Sequence, residues 1–318
     1  LFEFLNKGTH MQMAMRMKAL VGATVALAGL AAAACAPIGE SAAPRAKGPP
    51  QPSMWVVRDA DSTIYLYGTI HLLKDGDAWG GPAAQSAIAQ ASEIWTEIEI
   101  DPAKDAAMQA MVMQLGLDPT KKLSERIDPA YRTLMQTVIT RAGLQPAVVD
   151  MMRPWLAGLT FSVVPMMQAG YDPEMGVDRQ IDALGDANGK TMRWFETAEE
   201  QLQFLAGLSE PVQMQMLYES LKEFEKGATM LDAMAGAWKV GDDAALQAIV
   251  VDQMKQEYPE LYDVILTQRN KRWADALANE MKGAGVDFVA VGAAHLLGPD
   301  SVQAFLAQKG YRAEQVAP

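Results

Sequence analysis

Histidine and cysteine are the scarcest side chains of this 318-residue sequence, with three of the first and one of the second. A single cysteine, Cys35, closes no internal disulfide and builds no cysteine zinc site. Any metal held here must therefore use histidine and carboxylate. The three histidines are His10, His71 and His295. No long basic run occurs and the formal net charge is −12, so the Lys/Arg stripe of a nucleic-acid partner is missing and none is expected. No tandem repeat of the solenoid kind is present. What the chain does have is apolar content: 50% of residues are hydrophobic and 21% charged, ample for a large core and against wholesale disorder.

Residues 1–34 read as an export signal. Arg16 and Lys18 precede an apolar run from Ala19 to Ala34 that ends in small residues before Cys35. The run is short for a spanning helix, which needs roughly 20 apolar residues. Small residues directly before a lone cysteine resemble a bacterial lipobox, although Ala32 stands where leucine is usual. The expectation is a lipoprotein anchored to a membrane through Cys35 in the bacterial envelope, facing the periplasm. Cleavage at Ala32-Ala33-Ala34, leaving a soluble protein, is the alternative. His10 then drops out of the mature chain. Residues 35–52 are a tether, with five prolines between Ala36 and Pro52.

From residue 53 to 318 the pattern predicts one α/β (α+β) domain. It has a small central mixed β-sheet drawn from the N- and C-terminal thirds and a large helical insert at about 103–282. Residues 53–58 and 62–67 read as a hairpin around Asp59-Ala60-Asp61, with Gly68 ending its second strand. A helix over 82–92 leads to a strand over 93–100, whose isoleucines alternate, giving a βαβ unit. Short proline-punctuated helices follow, then a short strand over 190–195 and helices from about 198 to 281. A strand at 287–291, a helix at 299–308 and an edge strand at 311–316 complete the chain. The 21 methionines read as gap-filling core on those helices.

One local pattern occurs twice: IYLYGTIH at 64–71 and FVAVGAAH at 288–295. Each is an apolar strand, a glycine, two small or apolar residues and a histidine. The glycine is expected to turn the backbone off the strand end. Were the two strands parallel neighbours, His71 and His295 would face one crevice at their carboxyl ends, where ligands of open α/β sheets bind. Imidazole suits zinc, manganese, iron or cobalt. Glu97 and Glu99 are the natural source of a third ligand, because residues two apart on a strand share a face. One would bind the ion and the other act as general base. An exposed strand edge showing two charges to solvent is the plain alternative.

These residues, taken with Tyr67-Gly68-Thr69-Ile70-His71, Met152-Arg153-Pro154-Trp155, Gly176-Val177-Asp178, Glu196-Thr197 with Gln201, Trp238, Arg269-Asn270 and Val291 to Gly298, resemble the TraB/GumN family. That family comprises bacterial relatives of the Tiki metalloproteases, in a wider superfamily of erythromycin-esterase-like and haem-binding proteins. The resemblance implies a metal site at His71, Glu97 and His295, supported by Arg269 and Asn270. The expectation is an exported hydrolase, a peptidase that uses water activated by a divalent zinc, manganese or cobalt ion on a peptide or small-molecule substrate. Glu97 or Glu99 would take the proton, and Arg269 or Asn270 would steady the tetrahedral intermediate. A non-catalytic metal- or haem-binding envelope protein, or a helical interaction module with a vestigial site, are the alternatives.

Overall fold

Turn residues and apolar alternation set the strand order of the sheet. In the computed structural model, which describes residues 49–317, Met54–Arg58 (β1) and Ser62–Thr69 (β2) form the hairpin. Asp59 makes its turn by accepting the amides of Asp61 and Ser62. Glu93–Ile98 (β4), Thr191–Glu196 (β6), Gly285–Gly292 (β7) and Ala313–Gln315 (β8) complete a six-stranded sheet of order β6-β4-β7-β2-β1-β8. β6, β4, β7 and β2 are mutually parallel; β1 alone runs against them, pairing antiparallel with both β2 and β8. Leu73–Lys74 (β3) and Tyr171–Asp172 (β5) pair in a separate two-stranded ribbon.

The central strands are apolar on both sides because both faces are covered. Ile64 and Leu66 of β2 and Val289 and Val291 of β7 pack on Trp273, Leu277, Val302 and Leu306. Tyr65, Tyr67, Phe288 and Ala290 face the larger core built by the helical segment. Trp155, Phe161 and Trp238 are fully buried there. Among the described residues no helix is long and apolar enough to cross a membrane.

The mixed sheet with its large helical segment is as expected. One detail is corrected: the sheet is not drawn from the chain's two ends alone, since β6 from within the 103–282 segment supplies one edge. The βαβ unit of β2, the Pro82–Gln90 helix and β4 is present, with β7 lying between its two parallel strands. The signal segment 1–34, Cys35, His10 and the tether up to residue 48 lie outside the described residues.

Candidate functional site

β2 and β7 are parallel neighbours over eight residue pairs, with Thr69 opposite Gly292, so the two Gly-x-x-His turns leave the same edge of the sheet. Their glycines do not act as expected. Neither Gly68 nor Gly292 has a positive φ, and Gly68 lies inside β2. They are glycines because there is no room. A Cβ on Gly68 would sit 3.1 Å from Cα and Cβ of Ala293, in the facing turn. A Cβ on Gly292 would sit 3.1 Å from both Glu97 Oε1 and His71 Nε2, and 3.7 Å from His295 Cδ2. Gly292 thus keeps clear a small space on which three polar side chains converge.

The first turn is backed by an acid. His71 Nδ1 lies 3.1 Å from Asp178 Oδ1, and His71 Nε2 lies 3.9 Å from Glu97 Oε1. Burial alone would lower the basicity of His71. The charge and hydrogen bond of Asp178, with Glu97 adding to them, outweigh it and raise the ring above its usual range. Trp238 Nε1 holds the Gly68 carbonyl at 2.8 Å from behind.

The second turn is backed by an amide and a guanidinium. His295 is buried, with Nδ1 on Asn270 Oδ1 and Nε2 3.1 Å from Arg269 Nη1. An amide oxygen only accepts, so Nδ1 carries the proton and Nε2 presents its lone pair. Burial and the Arg269 charge hold the imidazole down at about 3, hence neutral. Its Nε2 lies 3.8 Å from the same Glu97 oxygen that His71 approaches.

Glu97 stands where β4 and β7 part, two residues past their last pair, Trp95 with Val289. Its Oε1 accepts the Gly292 amide at 2.7 Å; its Oε2 accepts Arg269 Nη2 at 2.6 Å and Gln201 Nε2 at 3.1 Å. Burial would raise its pKa, yet Arg269, both imidazoles and the amide hold it well below the usual carboxylate range. Arg269 is itself saturated. Its five N–H donors meet Glu196 through Nε, the Ile265 carbonyl and His295 through Nη1, and Glu97 and Glu196 through Nη2. The Ile265 carbonyl comes from a π-helical turn, Asp263–Thr267, directly before the helix that carries Arg269 and Asn270.

The structure therefore brings His71, Glu97, His295, Arg269 and Asn270 together and leaves Glu99 out. β4 ends at Ile98, so the two-residue periodicity that would align Glu99 with Glu97 no longer applies, and Glu99 pairs with Lys104. Arg269 and Asn270 are engaged within the protein: the first by Glu97, Glu196, the Ile265 carbonyl and His295, the second by His295 and the Asp300 carbonyl. Three site residues had no role read from sequence. Asp178, Glu196 and Gln201 lay within motif stretches, but only the fold places them. Glu196 is buried and accepts Arg269, Arg272 and Trp273.

The donor chemistry fits a divalent cation. Each imidazole is held at Nδ1 by an outer partner, the usual support of metal-binding histidine, with a carboxylate between the Nε2 atoms. The spacing is open. Donors about 2.0–2.2 Å from one ion lie about 3–3.5 Å apart, and among the described residues no three His, Cys, Asp or Glu groups stand at metal-binding spacing. To share an ion, each Nε2 would have to approach Glu97 Oε1 by about half an ångström and Arg269 Nη1 would have to release His295 Nε2. A cavity of about 510 Å³ lies elsewhere, lined among others by Gln51, Met54, Val240 and Val316, and includes none of these side chains.

The family model described as the TraB/PrgY/gumN family matches residues 53–315. Among curated proteins, the uncharacterized protein YbaP of Escherichia coli (strain K12) is 26% identical over 190 residues, 60% of this chain and 70% of that protein. YbaP of Shigella flexneri matches equally. No solved structure matches it significantly.

Proposed function

The chain belongs to the TraB/PrgY/gumN family, and on that footing we propose that it is a metal-dependent hydrolase acting on peptide bonds, with a zinc, manganese or cobalt ion held by His71, Glu97 and His295. One observation carries the reading. Both imidazoles are fixed from outside at Nδ1, and both Nε2 atoms approach a single Glu97 oxygen, at 3.9 and 3.8 Å, beside the space Gly292 keeps clear.

A divalent cation at that point supplies Lewis acidity toward water and toward a carbonyl oxygen. The chain's own residues prepare the place. Arg269 keeps Glu97 ionised, and burial together with the Arg269 charge keeps His295 neutral, the states in which both are ligands. Asn270 and Asp178 orient the rings. Burial of the donors excludes bulk water and strengthens each interaction. Glu99, paired with Lys104, takes no part.

The test is metal content of the purified protein together with cleavage of a peptide library, for wild type, His71→Ala and His295→Ala. Bound metal with cleavage, both lost in the variants, supports the proposal. Metal without turnover replaces it with a metal-binding envelope protein. Equal metal content in all three proteins overturns the shared site. The proposal includes export and lipid attachment at Cys35, argued from sequence alone. Cys35→Ala then moves the protein from the membrane fraction to the soluble one.

A further inference from the structure

Asp178 is brought to His71 by more than chance proximity. Three separate ties join residues 70–74 to residues 171–178, about a hundred positions away. β3 pairs with β5, matching Leu73 to Asp172 and Lys74 to Tyr171. The Val177 amide donates to the Ile70 carbonyl at 2.9 Å. Gly176 leaves no room for a side chain: a Cβ there would lie 2.7 Å from the His71 carbonyl and 2.9 Å from Asp178 Oδ1. The glycine is what lets the two segments touch. Asp178 then stands in the first turn of the Val177–Ala187 helix, where the helix dipole favours a negative charge. Thr197 and Ser301 use their side chains to cap their own helices. The Asp178 carboxylate instead reaches the imidazole.

We propose that Asp178 is the positioning residue of the site, holding His71 in the tautomer whose Nε2 lone pair faces Glu97 and the space beside Gly292. A carboxylate oxygen accepts, so the proton stays on Nδ1 and the ring plane is fixed by the same bond. Without it the neutral ring divides between two tautomers, and only one offers a lone pair to the site. The role as a ligand support rests on the metal reading proposed above; the tautomer does not.

The experiment has two arms, both on the full chain with no substrate present. In the first, two-bond proton–nitrogen NMR of ¹⁵N-histidine protein is recorded at a pH where the rings are neutral, with His71 assigned from the His71→Gln protein. Wild type shows Nδ1–H at His71. Asp178→Ala shows a mixture, and Asp178→Asn, whose Oδ1 still accepts, restores Nδ1–H. In the second arm cobalt(II) alone is titrated, following the visible spectrum. Asp178→Ala binds about 10–100-fold more weakly than wild type, and Asp178→Asn recovers much of that loss. Circular dichroism confirms that the variants fold, and Asp178→Leu, similar in size but with no hydrogen-bond acceptor, carries the same expectation of a tautomer mixture if Ala does not fold. An unchanged His71 tautomer in Asp178→Ala overturns the proposal. Failure of wild type to bind cobalt sinks the metal reading instead, and the tautomer arm still decides Asp178.

Discussion

The two Gly-x-x-His turns are near copies in sequence, yet their surroundings are opposite in charge. The first is backed by the Val177–Ala187 helix, which presents Asp178, Asp182 and Asp186 at four-residue steps. The second is backed by the Gln268–Glu280 helix with Arg269 and Arg272. One imidazole is consequently raised in basicity and the other is pushed to about 3. A local motif supplies the ring and its exit from the sheet. The helix behind it decides the ring's protonation, and two unlike histidines can then serve one carboxylate without mutual repulsion.

The comparison is broken most forcefully at Glu196. Glu196→Ala removes the acceptor shared by Arg269, Arg272 and Trp273 and leaves the buried Arg269 guanidinium with Glu97 as its one remaining carboxylate. A loss of about 3–5 kcal/mol is expected in denaturant unfolding. Asp178→Ala, at the first turn, is expected to cost about 1–2 kcal/mol. Equal losses would remove the distinction between the two supports.

The glycines come next. Gly292→Ala places a methyl 3.1 Å from His71 Nε2 and Glu97 Oε1. Cobalt affinity is expected to fall by on the order of 100-fold or more, beyond the ~10–100-fold of a lost supporting residue. Gly68→Ala crowds Ala293 instead, costing about 1–3 kcal/mol of stability while leaving cobalt affinity near wild type. Titration of both variants beside their melting curves checks the exchange of effects.

Asn270→Asp makes the second turn resemble the first. His295 is expected to rise above its value of about 3, read by NMR titration. The variant also leaves the Asp300 carbonyl without its donor, at about 1–3 kcal/mol. An unmoved His295 would show that burial and Arg269 alone set its state.

A smaller effect lies deeper in the acid helix. Burial, with Asp186 and Asp178 nearby, raises Asp182 from 3.8 to about 6. The folded protein therefore binds this proton more tightly than the unfolded chain, and stability falls as pH rises from about 4 through 6. Asp182→Asn is expected to add about 1–2 kcal/mol at pH 7, an advantage that vanishes below pH 4. A gain independent of pH would exclude ionisation as its cause. Smallest of all, Glu99→Gln should leave metal binding and turnover unchanged, since its partner is Lys104.

How much of this could be read beforehand depended on the range of the interaction. The paired histidines were legible because each motif is eight residues of local pattern, and the parallel β2–β7 pairing was the arrangement that would unite them. Strand periodicity pointed to Glu97 and Glu99 alike, and the family resemblance singled out Glu97. The same periodicity misplaced Glu99, because it holds only while the strand continues, and the chain leaves the sheet before Asp101-Pro102. The glycines were found but explained wrongly: pattern flags a missing side chain, while only packing tells crowding from a turn. Asp178 and Glu196 belong to elements that reach the site through pairings across about a hundred residues, which no local window contains.

The β2–β7 pairing also fixes when the site can exist. It joins Ser62–Thr69 to Gly285–Gly292 across nearly the full length of the folded chain, so its loop-closure entropy is large and its contact order high. β4 is joined to β2 only through β7, and His295, Arg269 and Asn270 all lie C-terminal to both β2 and β4. Any partial product that ends before Gly285 carries His71 and Glu97 without the strand that unites them. The cluster of His71, Glu97 and His295 therefore exists only once β7 has taken its place between β2 and β4.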